Sequence, residues 1–268
     1  MNPLPCIDIG ANLTHKSFRK DLDSVIRLAR NCGVERMIVT GTSVRSSHEA
    51  AELILDYPDI LYSTAGVHPH EAHGFDPDPN LGTIAVLERL AAKSNVVAIG
   101  ECGLDFNRDF SPRAIQHECF QAQLDLASSL EMPVFLHERD AHDLFLDTIR
   151  EWRERLSKGV VHCFTGSKEQ LHAYLDLDLH IGITGWICDE RRGSHLRSIV
   201  FDIPINRLMV ETDSPFLAPR DLSKKIHRNE PKYLPHIVGT IAECRGELPE
   251  ELAENTSRTA SEFFGLEK

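Results

Sequence analysis

Val96-Val97-Ala98-Ile99-Gly100 runs directly into Glu101-Cys102-Gly103-Leu104-Asp105-Phe106. The β-branched and small apolar residues of its first half read as a buried strand that delivers an acid at its end. The same pattern recurs three more times. Pro133–Leu136 leads into His137, Gly159–Val161 into His162, and Leu208–Thr212 into Asp213. If these strands lie parallel, their C-terminal ends meet on one face and gather two carboxylates with two imidazoles, the donors that divalent metals take.

Working outward, eight strand-like runs appear: Cys6–Ala11, Arg36–Gly41, Leu61–Val67, Val96–Gly100, Pro133–Leu136, Gly159–Val161, His180–Thr184 and Leu208–Thr212. Helical periodicity fills the intervals. From Asp21 to Asn31, Leu22, Val25, Ile26 and Ala29 share a face, with Gly33 as the stop. Ser46–Glu49 and Ser167–Gln170 have capping-box spacing, and Ser111-Pro112 offers an N-cap followed by proline. Strict alternation predicts the α/β class, and eight units predict a single (β/α)8 TIM barrel. Pro249–Phe264 adds a further C-terminal helix, and no linker composition divides residues 1–268, so one domain is expected.

Apolar and charged contents of 41% and 26% are ordinary for a soluble globular chain. No apolar run approaches a membrane span, and Met1–Cys6 lacks the features of a secretory signal. Seven scattered cysteines without a C-x-x-C pair suit reduced thiols buried as small hydrophobes, and so a cytoplasmic location. A monomer is expected. The net charge of −12 excludes a general duplex-coating protein. Residues 219–232 run against that balance, with Arg220, Lys224, Lys225, Arg228 and Lys232 opposed only by Asp221 and Glu230. The segment reads as a solvated loop or as a loop that contacts a polyanion.

The residues at the strand ends are Asn12, Thr42, His68, Glu101, His137, His162, Trp186 and Asp213. Any one of them has an ordinary structural explanation, as a cap or a hydrogen-bonded histidine. Four metal-seeking side chains on four strands point to a metal site of Glu101, His137, His162 and Asp213, with Asp213 as ligand or as general base. His68 is a metal ligand, a phosphate contact or a cap, and His70 reads as a loop residue. Arg139 neutralises a phosphate or forms a surface salt bridge, and Trp186 and Phe106 stack on a base or pack at the strand ends. No phosphate-cradling glycine motif occurs, so nucleotide-cofactor chemistry has no support.

These motifs together resemble the TatD family of metal-dependent deoxyribonucleases, of the amidohydrolase-like TIM-barrel superfamily. The resemblance rests on Ser63–His70, Ala98–Phe106, Pro133–His137, Val161–Gly166, Gly182–Trp186, Glu211–Pro215 and Arg228–Pro231. Asp8–Thr14 and Asp189–Gly193 place it near the bacterial branch. It implies a phosphodiester hydrolase, a 3′→5′ exonuclease on single-stranded DNA with RNA as a second substrate. It further implies that Glu101, His137 and His162 bind metal, that Asp213 is the ligand or base of the last strand, and that His68 either supports the ligands from behind or faces the substrate.

One departure stands out. Many relatives carry Asp-x-His-x-His on the first strand, where this chain has Gly10 and Asn12. Glycine offers no ligand and an amide oxygen is a weak, neutral one, so the first-strand metal binds loosely or only with substrate phosphate completing its shell, in a site with fewer imidazoles and more oxygen or water. That favours Mg²⁺, with Mn²⁺ or Zn²⁺ as alternatives. Two other functions fit the same features. One is a small-molecule amidohydrolase, which would use a strand-end lysine that this chain lacks. The other is a non-catalytic scaffold in protein-export quality control.

Overall fold

The computed structural model describes residues 4–224 and 226–266. Lys225 of the basic segment, Met1 to Pro3, Glu267 and Lys268 lie outside the described residues. Eight strands follow one another in the order β1 to β8 of a parallel sheet, with helices between them. This is the (β/α)8 class that the alternation predicted. By contacts the chain forms two compact units.

The first unit runs to Val39 and takes in Cys163–Lys168 and the chain from Ile181 onward. It holds β1 (Cys6–Ala11), α1 (Leu22–Asn31) and β2 (Val34–Val39), then β7 (His180–Ile183) from its second residue, α7 (Ser194–Ile199), β8 (Leu208–Val210), α8 (Leu234–Arg245) and α9 (Pro249–Phe264). Strands β1 and β2 pair in parallel, with Asp8 opposite Met37, and β7 pairs with β8, with Gly182 opposite Met209. Beyond the ladder, Asp213 N–H donates to the Gly10 carbonyl at 2.8 Å and Asn12 N–H to that of Ser214 at 2.7 Å. All residues of β1, β7 and β8 are buried, as expected of parallel strands covered on both faces. Helix α9 lays Leu252, Ala253, Ala260, Phe263 and Phe264 inward against β1 and β8.

The second unit comprises Thr40–His162 and Glu169–His180. It holds α2 (Val44–Asp56), β3 (Leu61–Ala65), α3 (Thr83–Ala91), β4 (Val96–Asp105), α4 (Arg113–Ser129), β5 (Val134–Arg139), α5 (His142–Trp152), β6 (Gly159–Val161) and most of α6 (Lys168–Asp176). Thr64 pairs with Ala98, Gly103 with His137, and Leu136 with Val161, all in parallel.

Several boundaries differ from the sequence reading, each for a local reason. Strand β4 continues five residues past Gly100, and β5 runs through His137 to Arg139, so Glu101 and His137 lie within strands. Glycine makes this continuation workable. Gly100 and Gly103 have φ of +135° and +145°, and a Cβ at Gly103 would collide with the His137 carbonyl oxygen. Strand β3 stops at Ala65 because the Gln123 side chain takes over the backbone of Val67, accepting its N–H at 2.8 Å and donating to its carbonyl at 3.0 Å. The capping box of α2 is Ser43 with Ser46, not Ser46 with Glu49. Ser111 does not cap α4, whose N-cap position is Pro112; its hydroxyl donates to the His70 carbonyl and accepts the His73 N–H.

None of the seven cysteines is in a disulfide, and burial pushes the thiols of Cys6, Cys119 and Cys188 up to about 12. Among the described residues no helix is long and apolar enough to cross a membrane.

Candidate metal centre

In the second unit, three imidazoles converge on one carboxylate oxygen. Glu101 Oε1 lies 2.6 Å from His162 Nε2, 3.0 Å from His137 Nδ1 and 3.3 Å from His68 Nε2. Glu101, His162 and His68 are buried and His137 nearly so. Phe135 on β5 stacks against the His162 ring at 4.6 Å and fixes its plane. Burial alone raises the Glu101 pKa, but His162, His68 and His137 outweigh it and hold the carboxyl well below its usual range.

His137 is gripped from both sides. Its Nδ1 faces Glu101 while its Nε2 lies 3.3 Å from Asp105 Oδ2, and that same oxygen meets His70 Nε2 at 2.9 Å. Asp105 is buried at the end of β4, and its other oxygen accepts the N–H groups of Asn107 and Arg108 at 3.0 Å. Burial works against its charge, yet the bonds from His137 and His70 win and lower its pKa. Burial likewise lowers the His137 pKa, and its bonds to Asp105 and Glu101 reverse the sign. A carboxylate on one nitrogen of a histidine whose other nitrogen faces a donor cluster is the arrangement that orients metal ligands. The sequence reading missed Asp105 and His70 as members of this site.

His68 plays a different part. Its Nδ1 accepts the His70 backbone N–H at 3.0 Å, so its Nε2 carries the proton and donates toward Glu101. Burial holds its pKa down to about 4, so the ring is neutral. Although His68, Glu101 and His137 bring donor atoms within 4.8 Å of one another, a nitrogen that bears hydrogen offers a metal no lone pair. The donor set that fits a divalent ion is therefore Glu101, His137 and His162, two imidazoles and a carboxylate, with Asp105 behind them.

Asp213 and Asn12 form a separate pair in the first unit. Asn12 Nδ2 donates to Asp213 Oδ1 at 2.9 Å, and Asp213 sits at φ +51°, a conformation that an aspartate at a special site tolerates. Behind them, buried Asp8 accepts from Thr212 N–H at 2.9 Å and from the Thr212 hydroxyl at 2.6 Å, which locks the residue before Asp213. Buried Glu211 accepts the Cys163 N–H at 2.5 Å.

Arg139 is half-buried and forms no ion pair with any described residue, so the salt-bridge reading of it does not hold. The Arg113 guanidinium lies over the Phe106 ring at 4.3 Å, and the Arg192 guanidinium stands 5.4 Å from the Trp186 ring. A second group of potential ligands, Cys188, Asp221 and His236, also lies within 4.8 Å. There Asp221 is already paired with His236 at 2.6 Å and Arg197 at 3.6 Å.

The TatD related DNase family model matches residues 7–265. The chain belongs to this family. It is accordingly a hydrolase, and the resemblance read from its motifs holds over nearly the whole length. The TatD of Rahnella sp., named a 3′-5′ ssDNA/RNA exonuclease, is 50% identical over 97% of this chain and 98% of its own. That of Salmonella typhimurium, under the same name, is 49% identical over 96% of this chain and 98% of its own. Among solved structures, a TatD family hydrolase from Entamoeba histolytica superposes with a TM-score of 0.87 at 26% identity, covering 99% of both chains. The TatD homologue YJJV of Escherichia coli gives the same score and identity over 98% of both chains. The TatD-family fold is thus the (β/α)8 barrel predicted from the alternation.

Proposed function

We propose that the protein is a divalent-metal-dependent exonuclease that shortens single-stranded DNA, and RNA as a second substrate, from the 3′ end. The observation that carries this reading is the convergence of His137 and His162 on Glu101, backed by Asp105. The names of the 50%-identical relatives support the substrate and the polarity.

In this reading Glu101, His137 and His162 hold the ion, Mg²⁺ in preference to Mn²⁺ or Zn²⁺. When bound, a divalent ion there polarises a phosphoryl oxygen and lowers the pKa of water. The protein's residues do the rest. His68 Nε2–H donates a hydrogen bond to a phosphate oxygen, and its neutrality spares the site a cation that would repel metal. Asp213, as metal ligand or as base, takes the proton from the attacking water, and Asn12 fixes the direction of its carboxylate and touches the substrate. Arg139, free of any described ion partner, neutralises charge on the phosphate. Trp186 stacks on an unpaired base, a contact indifferent to sequence. Free thiols suit a cytoplasmic enzyme, and the chain works as a monomer.

The test is a time course on 3′- and 5′-labelled single strands and duplexes in Mg²⁺, Mn²⁺, Zn²⁺ or EDTA. Metal-dependent loss of the 3′ label first, with the 5′ label moving down a ladder, is the expected result. Release of internal fragments, or shortening from the 5′ end, would refute the polarity; cleavage unaffected by EDTA would refute the metal.

A further inference from the structure

In the first unit, a groove of about 1070 Å³ opens beside the turn that follows β7, with Trp186, Asp189, Arg220 and Lys224 in its wall. Asp189 is buried and serves as a hub for three arginines. Its Oδ2 lies 3.0 Å from Arg220 Nε and 3.7 Å from Arg192 Nε, and its Oδ1 3.7 Å from Arg191 Nε. The Asp189 carboxylate also accepts the Arg191 backbone N–H at 3.1 Å. The three arginine side chains are 53–70% exposed.

One carboxylate cannot neutralise three guanidiniums. Arg220 places its Nε on the hub, Arg191 and Arg192 stand only within ion-pair range of it, and no described residue accepts a hydrogen bond from the terminal nitrogens of the three. Lys224 adds a further exposed cation to the same lining. Two further acids share that lining: Asp221, engaged by Arg197 and His236, and the exposed Glu190. In a chain of net charge −12, this is a local concentration of unspent donors. Arginines whose direction is set by a buried acid are suited to phosphate oxygens, which take two parallel N–H bonds from one fork. An aromatic wall accompanies them. Trp186 stands within cation–π reach of Arg192, and its indole Nε1 is buried with no acceptor among the described residues. A cluster of exposed guanidiniums with Lys224 and an indole in the same groove offers both phosphate donors and a stacking face, the two contacts a single strand takes.

We propose that this groove binds the sugar-phosphate backbone of a single-stranded polynucleotide, with Arg191, Arg192 and Arg220 contacting its phosphates. The proposal rests on the nuclease reading and extends it. It requires that a strand long enough to lie along the groove depend on these arginines more than a trinucleotide does.

The experiment compares the metal-loaded wild type with Arg191→Ala/Arg192→Ala, both residues being surface-exposed, and with the charge-conserving Arg191→Lys/Arg192→Lys. Substrates are a trinucleotide and a strand of about 12 nucleotides, a length within known single-strand site sizes. KM and kcat are read over a salt series, with anisotropy binding of the labelled long strand and its duplex as a readout independent of cleavage. The alanine variant is expected to raise KM for the long strand about 10-fold or more and to flatten its salt slope by roughly 1. The trinucleotide KM should move far less, kcat should hold, and the lysine variant should recover only part of the affinity. A KM change equal for both lengths, no change, or duplex bound as tightly as single strand overturns the proposal. If the wild type cleaves nothing yet binds the long strand in an arginine-dependent way, the groove stands and the nuclease reading falls.

Discussion

His68 Nδ1 accepts the backbone N–H of His70 at 3.0 Å, and this one bond decides what His68 can do at the Glu101 cluster. A neutral imidazole has one lone pair for accepting, and here the backbone occupies it. His68 therefore presents a donor. Replacing it by glutamine, whose amide can also donate, should leave metal affinity at the wild-type level. Loss of the rigid N–H should lower kcat on the order of 100-fold. His137→Ala should instead lose metal. Calorimetric titration with Mn²⁺ on both variants separates the two; equal loss of affinity would make His68 a ligand.

In the proposed centre Asp105 bears on the ion through His137, whose Nε2 lies 3.3 Å from its Oδ2. Asp105→Asn keeps the size of the side chain but gives up the charge that fixes the ring, so metal affinity should fall about 10- to 100-fold. Because the Asn107 and Arg108 N–H groups still find an acceptor, the fold should survive. A variant with unchanged metal affinity would remove Asp105 from the centre.

Gly103 is the conformational key of the extended β4. An alanine there must adopt φ near +145° and meet the His137 carbonyl. Gly103→Ala should lose about 2 kcal/mol or more in urea unfolding, and metal affinity with it, since His137 must shift. An alanine variant as stable as wild type would mean that the strand does not need this glycine.

The sequence made half of this centre readable. Glu101, His137 and His162 announce themselves because each follows an apolar run too regular for a loop. Asp105 and His70 do not, because Gly100 and Gly103 look like strand breakers, and only the backbone conformation shows that β4 carries on to Asp105. The end of β3 was misplaced for the converse reason: the side chain of Gln123, 56 residues away in the chain, satisfies Val67 in place of a strand partner. Local pattern cannot report a distant side chain. Phe106 shows the same limit: that Arg113 stands 4.3 Å over its ring is not written in the local pattern.

Asp8 links pH to stability. Its burial, partly offset by bonds from Thr212, raises its pKa from 3.8 to about 7. The folded state thus prefers the protonated acid. The stability this confers is complete below about pH 4, falls as pH rises, and is gone above about 7, a change of roughly 4 kcal/mol. Urea unfolding of wild type and Asp8→Asn from pH 4 to 8 should show the difference between them shifting in the mutant's favour across that window. Parallel profiles would mean that Asp8 is ionised throughout.

The most direct measurement of the central claim is to titrate Mn²⁺ into wild type and Glu101→Gln while following binding and cleavage of a single strand together. Wild type should bind and cleave in step. Glu101→Gln should lose both, with cleavage down at least about 100-fold at metal levels that saturate wild type. A Glu101→Gln protein that binds metal normally and still cleaves would contradict the assignment of the catalytic ion to the Glu101, His137 and His162 cluster.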